Sequence, residues 1–468
     1  MYVGEAWIDK HEKIEVINPY NGEVVDTVPQ ADLNDVELAL ATAVRGARAM
    51  RELTAYERAQ FLSRLAALIE RDAQSLARTI SLEEGKTLAE ARTEVSRAAE
   101  IVRLSAEEAK RLFGEVVPLD AAPGAAGKLG FTLRVPCGVV VAISPFNFPL
   151  HLVAHKVGPA LAAGNAVIVK PASDTPLSAL QLVKLALEAG APPAAVQCIT
   201  GSGSSIGEAL CRDPRVRKIS FTGSRAVGEA ITRVAGIKRV TMELGSNSPL
   251  IVMEDADLER VAQLAAMTSF ANAGQVCIST QRIYAAEPVH DAFVELLAEK
   301  AAAIRVGDPL KEETGMGPMA REKDAQRVEA WIREAVERGA RLVTGGERER
   351  AMVRPAVLTG VDPDARIMRE ELFGPAVAVG RFKDIDEAIA MANDTVYGLS
   401  AGIFTQNIDW AMKFVQRVDA GNVHVNWGPQ WRADLMPYGG LKESGFGKEG
   451  PRYAVQEMTE VKMVVFHL

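Results

Sequence analysis

The sequence predicts an α/β protein with two sheet domains and a small additional β element. Five short apolar runs alternate with helical segments between Gly138 and Gly245, and the alternation returns from residue 248 to about 430. A β-branched run, 460–466, lies near the end of the chain. Short, β-branched, non-alternating runs between helices are typical of a buried parallel sheet. The 468 residues are too many for one simple core, so more than one domain is expected.

The first third of the chain predicts a hairpin and then a helical region. Asn21-Gly22 suits a tight turn between two β-branched pairs, so residues 12–30 are predicted to form short strands. Residues 32–112 carry helical spacing almost throughout, with Asp32 as a candidate cap. The stretch 116–130 is rich in Pro, Ala and Gly and ends the helices. Because 128–135 alternates like an exposed strand, we expect a protruding hairpin there.

Chemically useful residues follow each of the five apolar runs. In an open parallel sheet, ligands bind beyond the carboxyl ends of the strands. An amide, an ammonium group, two glycine turns and a carboxylate come after the runs, in the order Asn147, Lys170, Gly201–Gly203, Gly223 and Glu243. A purely structural sheet would more often end in turn residues alone. The sequence therefore predicts a binding cleft at this edge.

The second domain is predicted from strand-like runs with helices between them. The runs are 250–252, 278–285, 376–382 and 399–404, and the helices are 289–304, 320–337 and 385–392. The terminal run would be an aggregation hazard if it stayed unpaired. Pairing with segment 117–135, or across a subunit boundary, is the simplest arrangement.

Composition excludes several classes of function. The net charge of -8 argues against nucleic acid as the main partner. The four cysteines contain no CxxC pair, which excludes a disulfide framework and a zinc ribbon. No apolar run approaches the roughly 20 residues that a membrane helix needs, and the first residues do not resemble a signal peptide. We expect a cytoplasmic protein without a membrane partner.

Cys277 is the candidate nucleophile. It lies in Gly274–Thr280, between a helix-like and a strand-like run. On its own, a lone cysteine is best interpreted as a small buried hydrophobe. Glu243 offers a general base from the other domain, and Asn147 offers an amide donor for an oxyanion. Loss of one such donor typically costs about 10²–10³ in rate.

Two weaker patterns have simpler alternatives. Residues 221–228 read as strand, turn and helix start, so backbone N–H groups and the Ser224 hydroxyl suit a pyrophosphate, although an ordinary helix cap is equally consistent. His151 and His155 are four residues apart without an evident third ligand, so no metal is predicted. We interpret the two histidines as pocket lining or helix surface.

Seven motifs occur together in one order. They are Pro145–Pro149, Lys170–Ala172, Phe221–Ser224, Glu243–Gly245, Gly274–Cys277, Glu370–Pro375 and Pro437–Gly445. In this combination the chain resembles the NAD(P)-dependent aldehyde dehydrogenase superfamily from about residue 15 to its end. The resemblance implies a Rossmann-like cofactor domain (1–116 and 136–245), an α/β catalytic domain (246–445) and a β oligomerisation element (117–135 and 446–468). It also implies that the terminal strand pairs with another subunit, in a homodimer or homotetramer.

The resemblance assigns roles to individual residues. Cys277 would form a thiohemiacetal, Asn147 and the Cys277 N–H would hold its oxyanion, hydride would pass to the nicotinamide, and Glu243 would activate water to hydrolyse the thioester. The cofactor would be bound by Lys170 at the adenine ribose, Ser224 at the pyrophosphate, Glu371 at the nicotinamide ribose, and by Ser144, Phe146, Ser173, Gly203, Gly223, Gly228, Gly245 and Phe373. The substrate pocket would include Phe148, Leu152, His155, Val276, Ile278, Trp431 and Tyr438.

Departures from the family pattern inform the choice of cofactor. Ser246 stands where a second glycine is usual, which we treat as neutral. Ser173 stands where NAD-preferring members often carry Glu. A carboxylate there would repel the 2′-phosphate of NADP, whereas a serine does not. We therefore expect NADP, as well as NAD, to be accepted.

Substrate and rival activities stay open at this stage. Val276 stands where some members that act on phosphorylated or phosphonylated aldehydes have Arg. Arg432 could pair with a substrate anion, although a surface arginine is the simpler interpretation. We favour small aliphatic or hydroxylated aldehydes such as lactaldehyde, followed by semialdehydes such as succinate semialdehyde. A CoA-acylating enzyme is disfavoured by Glu243, and a cysteine hydrolase using His151 or His155, or a binding protein on a retained fold, are further alternatives.

Overall fold

The structure, a computed structural model, describes residues 1–468. Its helices are α1 (Leu33–Glu52), α2 (Ala55–Arg71), α3 (Ala73–Glu84), α4 (Leu88–Ala109), α5 (His151–Ala162), α6 (Leu177–Glu188), α7 (Glu208–Arg212), α8 (Arg225–Ala235), α9 (Leu258–Phe270), α10 (His290–Ala302), α11 (Glu322–Glu337), α12 (Arg366–Arg369), α13 (Ile385–Asn393), α14 (Ile408–Arg417) and α15 (Pro451–Glu457). None of them is both long enough and apolar enough to cross a bilayer.

The strands form three main sheets and two small hairpins. They are β1 (Tyr2–Val3), β2 (Ala6–Trp7), β3 (Lys13–Ile17), β4 (Val24–Pro29), β5 (Val116–Val117), β6 (Lys128–Pro136), β7 (Val139–Ile143), β8 (Ala166–Lys170), β9 (Val196–Cys198), β10 (Val216–Thr222), β11 (Arg239–Glu243), β12 (Pro249–Val252), β13 (Arg282–Ala286), β14 (Arg341–Thr344), β15 (Arg348–Glu349), β16 (Met352–Val353), β17 (Ala356–Thr359), β18 (Ala376–Phe382), β19 (Ser400–Phe404), β20 (Asn422–Val425), β21 (Gly445–Phe446) and β22 (Thr459–His467).

The first sheet confirms the five predicted parallel strands and aligns their ends. Its order is β2-β1-β9-β8-β7-β10-β11-β21, and the chain reverses direction across the sheet between β7 and β10. Ile143 pairs with both Lys170 and Phe221, and the next residue of β10, Thr222, pairs with Glu243. The carboxyl ends therefore meet at one edge, beside the topological switch point where ligands of such sheets bind.

Burial explains why these strands lack an alternating pattern. Every residue of β8 is buried, and α5 is buried along its whole length on one face of the sheet. The predicted hairpin of residues 12–30 is also confirmed, since β3 pairs with β4 and Ile17 lies opposite Val24. The edge strands β1, β2 and β21 were not predicted, because two-residue strands carry no periodicity.

The second sheet has seven strands in the order β14-β17-β18-β13-β12-β19-β20. Its central strands β12, β13, β18 and β19 are parallel, as predicted. However, β13 begins at Arg282 rather than at Ile278, so the predicted start is wrong. Residues 278–281 instead belong to the loop that carries Cys277, and this leaves the loop free to enter the cleft.

The terminal strand pairs within its own chain. β22 runs antiparallel to β6 from Thr459 opposite Pro136 to His467 opposite Lys128, and β5 completes a three-stranded sheet. The expected pairing with another subunit's hairpin is therefore wrong, because this intrachain ladder already takes up the β6 edge. Only β22 of the segment 446–468 lies in this sheet, since α15 packs on α4 and α5.

Candidate active site

The loop before Cys277 has an unusual backbone. After α9 ends, Asn272, Ala273 and Gly274 all have positive φ angles of 49°, 52° and 70°. A Cβ on Gly274 would lie 2.2 Å from the carbonyl oxygen of Gly374, so only glycine fits there. Such strain persists where surrounding groups hold it in place and is concentrated at functional sites.

Buried carboxylates from the helical region hold this loop. The Asn272 backbone N–H donates to Glu90 Oε1 at 2.7 Å, and its side-chain amide donates to Glu84 Oε1 at 2.9 Å. The amide of Gln275 donates to the Asn272 carbonyl at 3.1 Å, while its oxygen accepts from the Ala320 N–H at 3.0 Å. The loop is therefore fixed from both domains.

Cys277 is the one cysteine that is not buried as a whole residue. Its Sγ lies 3.1 Å from the hydroxyl oxygen of Tyr438. Burial of the sulfur raises the pKa of the thiol to about 12, and the hydrogen bond to Tyr438 partly opposes this shift. The thiol is thus reachable but protonated in the empty cleft.

Asn147 is oriented toward the same loop. It is 2% exposed, its amide Nδ2 donates to the Gln275 carbonyl at 2.7 Å, and Lys86 Nζ donates to its backbone carbonyl at 2.7 Å. An amide nitrogen carries two hydrogens, and only one of them is used here. The second N–H remains available on the side chain that is bound to the loop of Cys277, and an oxyanion donor needs such a free N–H.

Glu243 ends β11 as a buried, unpaired carboxyl group. It is 3% exposed and neither of its oxygens has a hydrogen-bond partner. Burial raises its pKa well above the usual range, and repulsion from Glu449 adds to the effect. A Cβ on Gly439 would lie 2.7 Å from Glu243 Oε1, so glycine permits this close approach. An unsatisfied buried carboxyl with a raised pKa is typical of an acid–base group.

A buried charge cluster lies under the cleft. Arg432 Nη1 binds Glu449 at 3.0 Å, and Lys156 Nζ binds the same carboxylate at 3.0 Å. The Arg432 side chain is only 6% exposed, and its Cζ stacks 3.9 Å from the centre of the Tyr438 ring. The interpretation of Arg432 as a surface residue is therefore wrong. Sequence analysis missed Lys156 and Glu449, which no local pattern distinguishes.

His151 and His155 both lie against Asp434, and His151 is hydrogen-bonded to it. Their Nε2 atoms lie 3.0 and 3.4 Å from Asp434 Oδ1, and both rings are buried, so the helix-surface interpretation is wrong. Burial lowers their pKa values to about 3 and about 4, which keeps both rings neutral. Arg97 Nη2 also binds Asp434, at 2.6 Å.

The tautomer of His155 makes the cluster of His151, His155 and Asp434 unsuitable as a metal site. Arg432 Nη2 lies 3.1 Å from His155 Nδ1. A guanidinium group only donates, so Nδ1 must accept and the neutral ring carries its hydrogen on Nε2. The nitrogen that faces Asp434 therefore has no lone pair for a cation. The network instead fixes Arg432 relative to α5.

An apolar wall surrounds the thiol. Phe148, Val276, Ile278 and Tyr438 pack together with Leu399, which sequence analysis missed. Leu152 continues this wall one helical turn beyond Phe148, since its N–H donates to the Phe148 carbonyl at 3.1 Å, and it is buried. Trp431 is 50% exposed at the cleft rim, with its ring 6.1 Å from that of His424.

One end of the cleft offers groups suited to phosphates and ribose. Lys170 is 5% exposed, and burial lowers its pKa to about 8. Ser173 Oγ donates to the Gly201 carbonyl at 3.0 Å. Ser224 is the N-cap residue of α8, but its side chain makes no capping hydrogen bond. The first N–H groups of α8 are thus free of a side-chain cap, which suits an anion.

The other end carries the second carboxyl group. Glu371 Oε1 accepts from the Ser246 N–H at 2.9 Å, and burial raises its pKa to about 7. The ring of Phe146 meets that of Phe373 edge-on at 5.8 Å. Ser144 Oγ is buried without a partner. A free hydroxyl, an uncapped helix and a carboxyl group along one cleft fit a dinucleotide.

Glycines without room for a side chain surround this cleft. A Cβ on Gly245 would lie 2.4 Å from Glu371 Oε2, and one on Gly228 would lie 2.5 Å from the Leu244 side chain. A Cβ on Gly223 would contact the Phe221 ring at 2.6 Å, whereas Gly203 faces open space. Three of the four predicted glycines therefore allow close packing around the cleft.

Comparison with known proteins identifies the family. The sequence profile of the aldehyde dehydrogenase family matches residues 7–464. The chain belongs to the aldehyde dehydrogenase family. It is 47% identical to the 3-sulfolactaldehyde dehydrogenase of Priestia aryabhattai, over 100% of this chain and 98% of the relative. It is 39% identical to the NADP(+) succinate-semialdehyde dehydrogenase of Escherichia coli K12, over 100% and 97%.

A solved structure agrees along the whole chain. Aldehyde dehydrogenase 21 from Physcomitrella patens, crystallised with the reaction product succinate, superimposes with a TM-score of 0.97. It is 38% identical, and the match covers 99% of this chain and 97% of the other. The expected fold class is confirmed, and the protein is an NAD(P)-dependent aldehyde dehydrogenase.

Proposed function

We propose that this aldehyde dehydrogenase oxidises a short aldehyde whose far end carries a hydroxyl or an acidic group. Cys277 would attack the aldehyde, Asn147 and the Cys277 N–H would bind the oxyanion, and Glu243 would activate water against the thioester. The observation that carries the substrate proposal is Arg432, a buried cation beside the thiol with a free Nε–H.

The charges around Arg432 favour an anion. Two carboxylates, Asp434 and Glu449, face three cations, Arg97, Lys156 and Arg432. Glu243 adds no charge while its raised pKa keeps it protonated. The cluster therefore carries one more positive than negative charge, with Arg97 partly exposed, and a carboxylate or sulfonate on the substrate would balance the excess.

The names of the relatives point to the same class of substrate. One acts on 3-sulfolactaldehyde, which carries a hydroxyl and a sulfonate, and another acts on succinate semialdehyde. We therefore propose hydroxylated aldehydes such as lactaldehyde and semialdehydes such as succinate semialdehyde as substrates. Since Val276 adds no charge beside Cys277, we place the anion partner at Arg432 rather than at residue 276.

Cofactor binding is proposed for residues 1–116 and 136–245, with Glu371 and Phe373 contributed by the catalytic region 246–445. Lys170 and Ser173 would bind the adenosine ribose, and Ser224 with the start of α8 the pyrophosphate. The nicotinamide supplies the hydride acceptor. Because Ser173 carries no negative charge, we propose that NADP is accepted as well as NAD.

Two rival activities would use the same thiol. A CoA-acylating enzyme does not need a hydrolytic base, yet Glu243 lies buried and unpaired at the cleft. A cysteine hydrolase would need a histidine near the sulfur, but His151 and His155 are bound to Asp434 and Arg432. Oxidation to the free acid without CoA would exclude both.

Self-association is proposed from the exposed apolar residues of the β element. Leu129, Leu133, Val461, Val465 and Phe466 are all more than a third exposed. A homodimer or homotetramer that covers them is the expected state, and sedimentation velocity measures it directly. The four free cysteines fit the reducing environment of a cytoplasmic protein.

Replacement of Arg432 by Gln tests the proposed substrate class. We expect kcat/KM for succinate semialdehyde to fall at least about tenfold, since a charge-assisted hydrogen bond is lost. Butanal, which has the same chain length without the acid, should change less than about threefold. Steady-state kinetics with both aldehydes gives the comparison.

Arg366→Gln serves as the control, because Arg366 is an exposed arginine of the catalytic region. It should leave both substrates unchanged. Equal losses for both aldehydes in Arg432→Gln would mean that Arg432 acts on the fold or on the reactive thiol rather than on an anion of the substrate. No loss for either would place the anion elsewhere.

A further inference from the structure

Tyr438 makes the one hydrogen bond of the reactive sulfur. Its hydroxyl lies 3.1 Å from Cys277 Sγ, and no other polar group is within hydrogen-bond distance of that sulfur. The tyrosine is 3% exposed, and its ring packs in the same apolar cluster as Val276 and Ile278. A buried phenol O–H needs a hydrogen-bond partner, and the Cys277 sulfur is the partner that this hydroxyl has.

Of the groups around the Cys277 thiol, two favour its ionisation and the others oppose it. The titratable and charged side chains that face Cys277 are Tyr438, Glu243, Glu371 and Arg432. Burial disfavours a thiolate most, and the two glutamates repel it when they are ionised, whereas the Tyr438 hydrogen bond and the Arg432 charge favour it. Of these two favourable groups, only Tyr438 touches the sulfur.

Arg432 acts on Tyr438 from the face of its ring. The guanidinium carbon is 3.9 Å from the ring centre. Glu449 and His155 hold the guanidinium at 3.0 and 3.1 Å, so the cation stays over the ring. A cation at this position stabilises negative charge on the phenol and so makes its O–H a stronger hydrogen-bond donor.

We propose that Tyr438 is a further catalytic residue, whose hydroxyl donates a hydrogen bond to the Cys277 sulfur as it becomes a thiolate, and that Arg432 is a positioning residue acting through the tyrosine ring. The S–H bond breaks, the proton passes to solvent or buffer, and the sulfur keeps the electron pair. The Tyr438 O–H bond stays intact. This inference rests on the proposed role of Cys277 as the nucleophile.

The direction of the effect follows from charge. Hydrogen bonds to ionised groups are stronger than those between neutral groups. Tyr438 therefore stabilises the thiolate more than the thiol and lowers the pKa of Cys277. A tyrosine that merely lines the pocket would affect substrate affinity and leave this ionisation unchanged.

The test measures Cys277 ionisation in the enzyme without substrate or cofactor. Alkylation by iodoacetamide, whose rate follows the thiolate fraction, is timed at several pH values below the pKa of Cys277, with the matching Cys277→Ser protein as the blank, and the rates plotted against pH give the ionisation curve. The other three cysteines are buried, so Cys277 should account for the fast alkylation. In Tyr438→Phe we expect the ionisation curve to move to higher pH by about one unit, and alkylation at fixed pH to slow about tenfold.

Tyr284→Phe is the matched control. The Tyr284 hydroxyl is buried and accepts from Arg282 at 3.2 Å, away from Cys277. The Tyr284→Phe variant should leave the ionisation curve of Cys277 unchanged. If Tyr438→Phe does not fold, replacing all tyrosines by 3-fluorotyrosine, whose hydroxyl is more acidic, should move the curve to lower pH, because only Tyr438 contacts the sulfur.

An unshifted curve in folded Tyr438→Phe, or in the fluorotyrosine protein, would overturn the proposal. An equal shift in Tyr284→Phe would overturn it too, because the effect would then not be specific to the contact. Failure of the proposed function has a different signature, since Cys277→Ser would then still oxidise aldehydes whatever happens to the ionisation curve.

Discussion

At the scale of single residues, the choice between NAD and NADP is predicted to depend on Ser173. Ser173 stands three residues after Lys170, and its hydroxyl donates to the Gly201 carbonyl. Lys170 is the nearest candidate cation for a 2′-phosphate, and burial has lowered its pKa to about 8, so it is sensitive to nearby charge. A neutral neighbour at residue 173 leaves room for the phosphate.

Replacement of Ser173 by Glu should disfavour NADP relative to NAD. A carboxylate would repel the 2′-phosphate, so kcat/KM for NADP should fall at least about tenfold, while that for NAD should hold or rise. Ser63→Glu, at an exposed position on α2, controls for the added charge. Equal effects on both cofactors would show that residue 173 does not discriminate between them.

Some residues of the site could be predicted from the sequence, and others could not. Cys277, Glu243 and Asn147 were found because each follows a strand-like or helix-like run, and strand ends share an edge. Asp434 and Glu449 were missed because they matter through side-chain contacts that the tertiary fold creates and that no local pattern reveals. His155 and Asp434, for example, are brought together only by the tertiary fold.

At the scale of elements, the nucleophile loop joins the two domains. The loop follows α9, carries three positive φ angles, and is bound by Glu84 of α3 and Glu90 of α4. The sequence predicted a strand from Ile278, because the residues there are β-branched. The tertiary contacts override that propensity and keep residues 278–281 out of β13.

Gly274→Ala should disrupt this loop. The new Cβ would lie 2.2 Å from the Gly374 carbonyl oxygen. The alanine would also have to adopt a φ of 70°, which L-residues rarely do. We expect the free energy of unfolding to fall by roughly 1–3 kcal/mol and kcat to fall more than cofactor affinity does. Denaturant unfolding and steady-state kinetics check the two effects.

Gly207→Ala is the control for this change, since its Cβ would face open space. It should leave kcat unchanged. Parent-like activity in Gly274→Ala would show that the loop relaxes without moving Cys277, and that the observed backbone is not required for catalysis.

At the scale of the whole molecule, the reaction needs both domains at one cleft. Glu243 and Asn147 come from the first sheet region, whereas Cys277 comes from the loop before β13. The sheets themselves were predictable from β-branched periodicity. The edge strands β1, β2 and β21 were not, because two-residue strands leave no local signal. For β22, pairing with segment 117–135 was one of two expected alternatives, and the structure confirms it.

The Glu243→Gln variant tests most directly whether a Cys277 thioester forms and is hydrolysed by water that Glu243 activates. Mixed with NADP and succinate semialdehyde, this variant should release about one NADPH per subunit and then turn over about 10²–10⁴-fold more slowly than the parent enzyme, because no base activates water. Its residual rate should also lose the rise with pH that the parent shows as Glu243 deprotonates. Mass spectrometry of the quenched protein should find the acyl group on the peptide that contains Cys277. Parent-like turnover, or an NADPH burst with Cys277 unmodified, would contradict hydrolysis of a Cys277 thioester by Glu243.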